Sequence, residues 1–185
     1  HVGAGRWAAT GDAIAELITA AGDEVVREYY VNDAGEQIRR FGESVVLVAT
    51  DQPLGEEHYR GYAIKEIAQQ LRDEHGDALF DNDPASVAEV GRLGVEVMRQ
   101  RIQDVLHHMG VDFDRWFSEQ QGLHDTGAVE ATVAELQERG QAYEADGALF
   151  LRTTEHGDDK DRVLIRSDGR PTYFASDCAY LRDKW

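Results

Sequence analysis

One run limits what this chain can fold into: Glu24-Val25-Val26-Arg27-Glu28-Tyr29-Tyr30-Val31. β-branched and aromatic residues fill it, as a buried strand requires. Helical periodicity flanks it on both sides. Before it, Ile14, Leu17, Ile18 and Ala21 recur at helical spacing over roughly Arg6 to Ala21, with Gly22 as a stop signal. After it, Asn32-Asp33-Ala34-Gly35 turns the chain, and Asp33 is placed to cap a second helix carrying Ile38, Phe41, Val45 and Val48. Helix, strand, helix in this order predicts half of a parallel α/β sheet. The strand expected ahead of His1 is not in the sequence, and both ends read as cut from a longer chain.

A mostly helical block is expected next. Pro53 and Gly55 mark a polar connection, and Tyr59 to His75 reads as a helix with Ile64, Ile67, Ala68 and Leu71 on one face. Asp83-Pro84 is a strong start signal, an acceptor at the N-cap and proline at the first helical position. The helix behind it aligns Val87, Val90, Gly94, Val97, Met98, Ile102, Val105 and Met109 on one stripe and stops at Gly110. Met98 and Met109 read as core filling, and His107 and His108 as last-turn partners of the helix dipole. Asp114 to Glu119 reads as a further strand, and Val129, Val133 and Leu136 as the buried face of a short helix. Asp146-Gly147 between alternating apolar runs predicts a hairpin. Arg162 to Arg166 is another strand, and the segment from Thr172 begins as a strand or turn and winds into a helix. These boundaries give three parts: residues 1–50, the first part of a nucleotide-binding core; 51–112, a helical insertion; 113–185, the continuation of the core.

Bulk properties narrow the function. The chain has 185 residues, enough for one domain with a real core. Acids outnumber bases 36 to 19, a formal charge of −17. Such a surface repels phosphate backbones and is not expected to bind nucleic acid by itself; adaptation to salt is the other reading of it. No apolar run approaches the ~20 residues that span a bilayer. The single cysteine, Cys178, leaves no internal disulfide, which fits a reducing cytoplasm, and its spacing to the histidines gives no zinc pattern.

Four stretches could carry chemistry. His1-Val2-Gly3-Ala4-Gly5-Arg6-Trp7 reads as a glycine-rich loop opening a helix, a setting for a phosphate; a frayed terminus explains it equally from local sequence. Tyr29 to Gly35 puts Asn32 and Asp33 at a strand end, where open α/β sheets bind ligands; a plain strand with an Asx-type turn is the alternative. Tyr173 and Asp177 lie four residues apart and share a face of a helix. A carboxylate beside an aromatic hydroxyl can receive a guanidinium; an exposed acid with a half-buried tyrosine is the plain alternative. Gly157-Asp158-Asp159-Lys160-Asp161-Arg162 reads as a salt-bridge network in preference to a Mg²⁺ site.

Taken together these stretches resemble the catalytic domain of the arginyl-tRNA synthetase family, a class I family. His1-Val2-Gly3-Ala4 resembles its "HIGH" signature, and Arg27 to Gly35 its strand and turn after the first helix. Asp146 to Thr154, Gly157 to Leu164 and Ser167 to Asp177 resemble its later blocks, the last two at a spacing specific to the arginine enzyme. The resemblance implies an α/β fold: an incomplete Rossmann-like (HUP-type) catalytic domain with a mostly helical insertion and no anticodon-binding domain in this stretch. It implies ATP-dependent activation of L-arginine to arginyl-adenylate and transfer to tRNA(Arg), with Mg²⁺ carried by ATP and no protein-held metal. It assigns catalysis to His1, Gly3 and Arg6, ATP contact to His1, Gly3 and Ala4, and the substrate guanidinium to Tyr173 and Asp177. Asn32 and Asp33 would lie near the pocket in an unassigned role. Ala4 stands where the signature has its second histidine; an actinobacterial-like branch carries a small residue there followed by Arg-Trp, as Arg6-Trp7 here. A cytoplasmic monomer is expected, inactive as the isolated piece. Another nucleotidyltransferase of the same superfamily and a non-catalytic acidic interaction module are the alternatives.

Overall fold

The computed structural model describes residues 2–185. Its α-helices are α1 (Val2–Ala20), α2 (Glu36–Ala49), α3 (Tyr62–His75), α4 (Pro84–His108), α5 (Ala128–Glu138) and α6 (Tyr173–Asp183). Its strands are β1 (Glu28–Val31), β2 (Arg115–Ser118), β3 (Ala142–Ala145), β4 (Ala148–Leu151) and β5 (Arg162–Ile165). Asp83 caps α4 as its sequence predicts, accepting from the backbone N–H of Ala85 at 2.8 Å and Ser86 at 3.1 Å. Those N–H donors, Ser86 first, hold its carboxyl below the usual aspartate value. Gly76 and Gly110, read as stops, follow α3 and α4 with φ of 78° and 76°.

The chain divides into two units, 1–117 and 118–185. In the first, α2, α3 and α4 pack around Val45, Val46, Ile67, Leu71, Phe80 and Val90, all buried. α2 and α4 approach each other closely. A Cβ on Gly42 would lie 2.3 Å from the Val87 carbonyl oxygen, and one on Gly91 would lie 3.1 Å from the Ile38 carbonyl oxygen. Glycine at both positions lets the two backbones touch. β1 and β2 form a two-stranded sheet. Its aromatic side chains pair: Tyr29 stacks on Trp116 at 4.5 Å and Tyr30 on Phe117 at 5.8 Å.

In the second unit β3, β4 and β5 form an antiparallel sheet in that order. The Asp146-Gly147 hairpin forms as expected, with φ of 51° and 75°, the pair of positive values a primed turn needs. Val129 and Val133 of α5, Ala175 and Ala179 of α6, Leu149 of β4 and Leu164 of β5 are all buried. The charge-rich loop is the expected network: Arg162 bonds Asp158 and Asp159, while Asp161 accepts from Tyr143 and Thr154. Cys178 is a free, half-buried thiol whose pKa burial pushes up.

Five expectations need correction. The strand read over Glu24 to Val31 as buried shortens to Glu28–Val31, all half-buried, and Val26 ahead of it is exposed. The cap position of α2 is Gly35, with no side-chain cap bond, so Asp33 does not cap that helix. The opening residues are helix from Val2 onward, so Gly3, Ala4, Gly5 and Arg6 belong to α1 and to no loop. Each glycine costs a helix only about 1 kcal/mol against alanine, and no proline interrupts the alanine-rich run that continues it. The apolar face read for this helix is open: Ile14 is 52% and Leu17 71% exposed, and Ala15 is the buried residue. The stripe on α4 is buried only in its first half; Val105 and Met109 are exposed. Helical spacing identifies an apolar face, but burial depends on a partner element. Among the described residues no helix is long and apolar enough to cross a membrane.

Candidate functional site

The residues expected to meet the guanidinium lie on α6. Thr172 opens this helix with its hydroxyl toward the backbone N–H of Ala175 at 3.4 Å. Ala175, Ser176 and Ala179 form the buried side, against α5 and β5. Tyr173 and Asp177 take the opposite, open side, one turn apart; Tyr173 is 57% exposed and Asp177 is also exposed. Arg182 ties the far end of α6 to Glu135 of α5 at 2.8 Å, and the Lys184 ammonium sits 4.3 Å over the Tyr180 ring. The face is thus fixed from behind and free in front. A carboxylate in that position offers two acceptor oxygens to a planar donor fork, and the tyrosine ring gives it a flat neighbour.

Gly3, Ala4 and Arg6 lie in the first two turns of α1, with Ala4 and Arg6 exposed. A helix start directs backbone N–H groups and the positive dipole end outward, which suits an anion. His1 lies outside the described residues. α1 is held by Arg27, whose guanidinium bonds Asp12 at 3.0 Å and also Glu16. The backbone N–H of Arg27 donates to Asp114 at 2.7 Å, so this residue joins α1 to the start of β2.

Asn32 and Asp33 follow β1. Asn32 borders an open cavity of about 480 Å³ walled by Tyr29, Phe41, Tyr59, Arg99 and Trp116. The Arg99 guanidinium lies 5.8 Å from the Trp116 ring centre and bonds Glu96. The Asp33 N–H donates to the Val31 carbonyl at 3.0 Å, a turn made by the backbone. The structure therefore brings Tyr173 and Asp177 together on one helix face. It groups Gly3, Ala4 and Arg6 on another helix and sets Asn32 and Asp33 at a strand end.

His107 and His108 sit on the last turn of α4. Asp112, 2.8 Å from His107 Nδ1, raises that imidazole's pKa. His108 Nδ1 lies 2.6 Å from the Asp104 carbonyl oxygen and donates to it. Among the described residues no group of three or more His, Cys, Asp and Glu side chains could hold a metal. Sequence reading passed over Thr172, although a threonine directly before a helix is a recognised N-cap signal. It also passed over Gly42 and Gly91, which carry no signal in one sequence beyond their lack of a side chain.

Comparison with known proteins adds an independent line. The family model described as tRNA synthetases class I (R), catalytic domain, matches residues 1–185. An arginine–tRNA ligase of Frankia alni is 48% identical over 179 residues, which is 97% of this chain and 32% of that protein. A crystal structure from Campylobacter jejuni, assigned to arginyl-tRNA synthetase, superposes with a TM-score of 0.90 at 32% identity, over 100% of this chain and 41% of that one. The arginyl-tRNA synthetase of Plasmodium falciparum shares the fold at a TM-score of 0.67 and 18% identity, over 98% of this chain and 31% of its own. The chain spans about a third of the length of that Frankia alni protein.

Proposed function

The chain belongs to the class I (R) tRNA synthetases, within their catalytic domain, and on that premise we propose that it forms part of an arginine–tRNA ligase. The complete enzyme would activate L-arginine with ATP and pass the arginyl group to tRNA(Arg). One observation carries the choice of amino acid: Tyr173 and Asp177 share the open side of α6, while the opposite side is locked into the core.

In the first step a carboxylate oxygen of arginine attacks the α-phosphorus of ATP. The bond to the bridging oxygen breaks, and pyrophosphate leaves with that electron pair. In the second, a ribose hydroxyl at the tRNA terminus attacks the arginyl carbonyl and AMP leaves. Both steps depend mainly on placement and charge stabilisation. Asp177 would accept paired hydrogen bonds from the guanidinium, and Tyr173 would pack on it or donate its hydroxyl. His1, Gly3 and Arg6, the residues assigned to catalysis, would serve the ATP phosphates, with Ala4 contributing backbone only. Mg²⁺ would arrive with the nucleotide. Asn32 and Asp33 keep no assigned role. The three-part division at residues 50 and 112 belongs to the same reading, as do cytoplasmic location and a monomeric state.

Asp177→Ala in a complete ligase carrying this sequence tests the assignment. Losing charge-assisted hydrogen bonds worth about 1.5–3 kcal/mol each should raise the arginine KM at least tenfold and leave the ATP KM near its starting value. An unchanged arginine KM would sink the assignment of Asp177 to the guanidinium site.

A further inference from the structure

The open pair on α6 needs its first turn to stay helical. Tyr173 is the first helical residue and Asp177 the fifth, about 6 Å further along the axis at 1.5 Å per residue. First turns leave N–H groups without intrahelical partners and open readily unless something holds them. No acidic side chain lies in the first turn of α6 to do so.

Thr172 performs that task in a particular way. Its hydroxyl donates to the Val163 carbonyl of β5 at 2.6 Å and faces the N–H of Ala175 at 3.4 Å. Its backbone N–H donates to the Leu164 carbonyl at 2.9 Å, and Pro171 bridges Ile165. Leu164 is fully buried, and β5 pairs with β4. The start of α6 is thereby bolted to a fixed strand at the residue immediately before Tyr173. We propose that Thr172 is a positioning residue for the guanidinium site, setting where Tyr173 stands relative to Asp177. The proposal rests on the arginine-site reading of that pair.

The test uses a complete ligase carrying this sequence, with arginine and ATP KM measured separately. Thr172→Val keeps the side-chain shape and removes the hydroxyl. It should raise the arginine KM about fivefold, the size expected from one cap and one hydrogen bond, while the ATP KM stays within about twofold. Thr172→Ser should restore it. In a Tyr173→Ala background the same substitution should change the arginine KM less than about twofold, because the residue it positions is gone. If Thr172→Val yields no folded protein, Thr172→Ala carries the same comparison. An unchanged arginine KM in Thr172→Val, with Asp177→Ala still raising it, overturns the role of Thr172 alone. So does a rise of equal size in the Tyr173→Ala background, or an equal rise in both substrates' KM. An unchanged arginine KM in Asp177→Ala overturns the underlying site and this role with it.

Discussion

Asp83 shows how much one side chain can decide. It accepts two backbone N–H groups at the start of α4, and those bonds depress its pKa. A carboxylate depressed in the folded state stabilises it fully above the ordinary aspartate value near 4, and that gain fades as pH falls through the depressed value. Asp83→Ala should therefore melt below the parent chain at neutral pH, and the gap should close on acidification. Parallel thermal melts across pH check this, and a gap that widens in acid would contradict it. Ala4 is the other instructive residue. It sits exposed near the start of α1. Ala4→His in a complete ligase should change kcat only modestly; a very large gain would mark the present sequence as a decayed copy.

Among the elements, the α2–α4 contact depends on glycine. Gly42→Ala would drive a Cβ to 2.3 Å from the Val87 carbonyl oxygen, a backbone atom that cannot swing aside. Overpacking of this kind costs about 1–3 kcal/mol or more. Gly94→Ala meets the Phe41 ring at 2.7 Å, a side chain that can rotate, so its cost should be the smaller. Urea unfolding of both variants decides the order, and equal midpoints would refute it. α1 presents the opposite case. Its attachment runs through Arg27 to Asp12 and Glu16, with Ala15 as its buried residue. Arg27→Met should leave α2 to α4 folded and speed amide hydrogen exchange along α1 specifically. Unchanged exchange there would show that other contacts hold the helix.

At the scale of the whole molecule the formal charge of −17 dominates. Self-repulsion of this size destabilises the compact state, and added salt screens it. The melting temperature should rise from low to high ionic strength, despite the weakening of surface pairs such as Arg92–Glu89 and Arg170–Asp168. A fall would mean that the pairs outweigh the repulsion. The chain spans about a third of the length of the Frankia alni ligase, and the 185-residue chain alone should not sustain arginine-dependent ATP–pyrophosphate exchange. Robust exchange by the purified chain would disprove this.

The sequence by itself determined much of what depends on neighbours along the chain. The cap at Asp83, the stops at Gly76 and Gly110, the Asp146-Gly147 hairpin, the charge pairing around Arg162 and the i, i+4 placement of Tyr173 and Asp177 all follow from local geometry. Family membership was legible too, because the blocks keep their order and spacing. The tertiary structure alone decided which apolar faces are covered. Ile14 and Leu17 have the same helical spacing as Ile64 and Ile67, yet the second pair is buried and the first open. Spacing fixes the direction of a side chain, and only a packed partner removes it from water. For the same reason no local pattern distinguished Gly42 and Gly91 from ordinary glycines, or showed that Thr172 reaches back to Val163. Those contacts join positions distant in sequence that only the fold brings within reach.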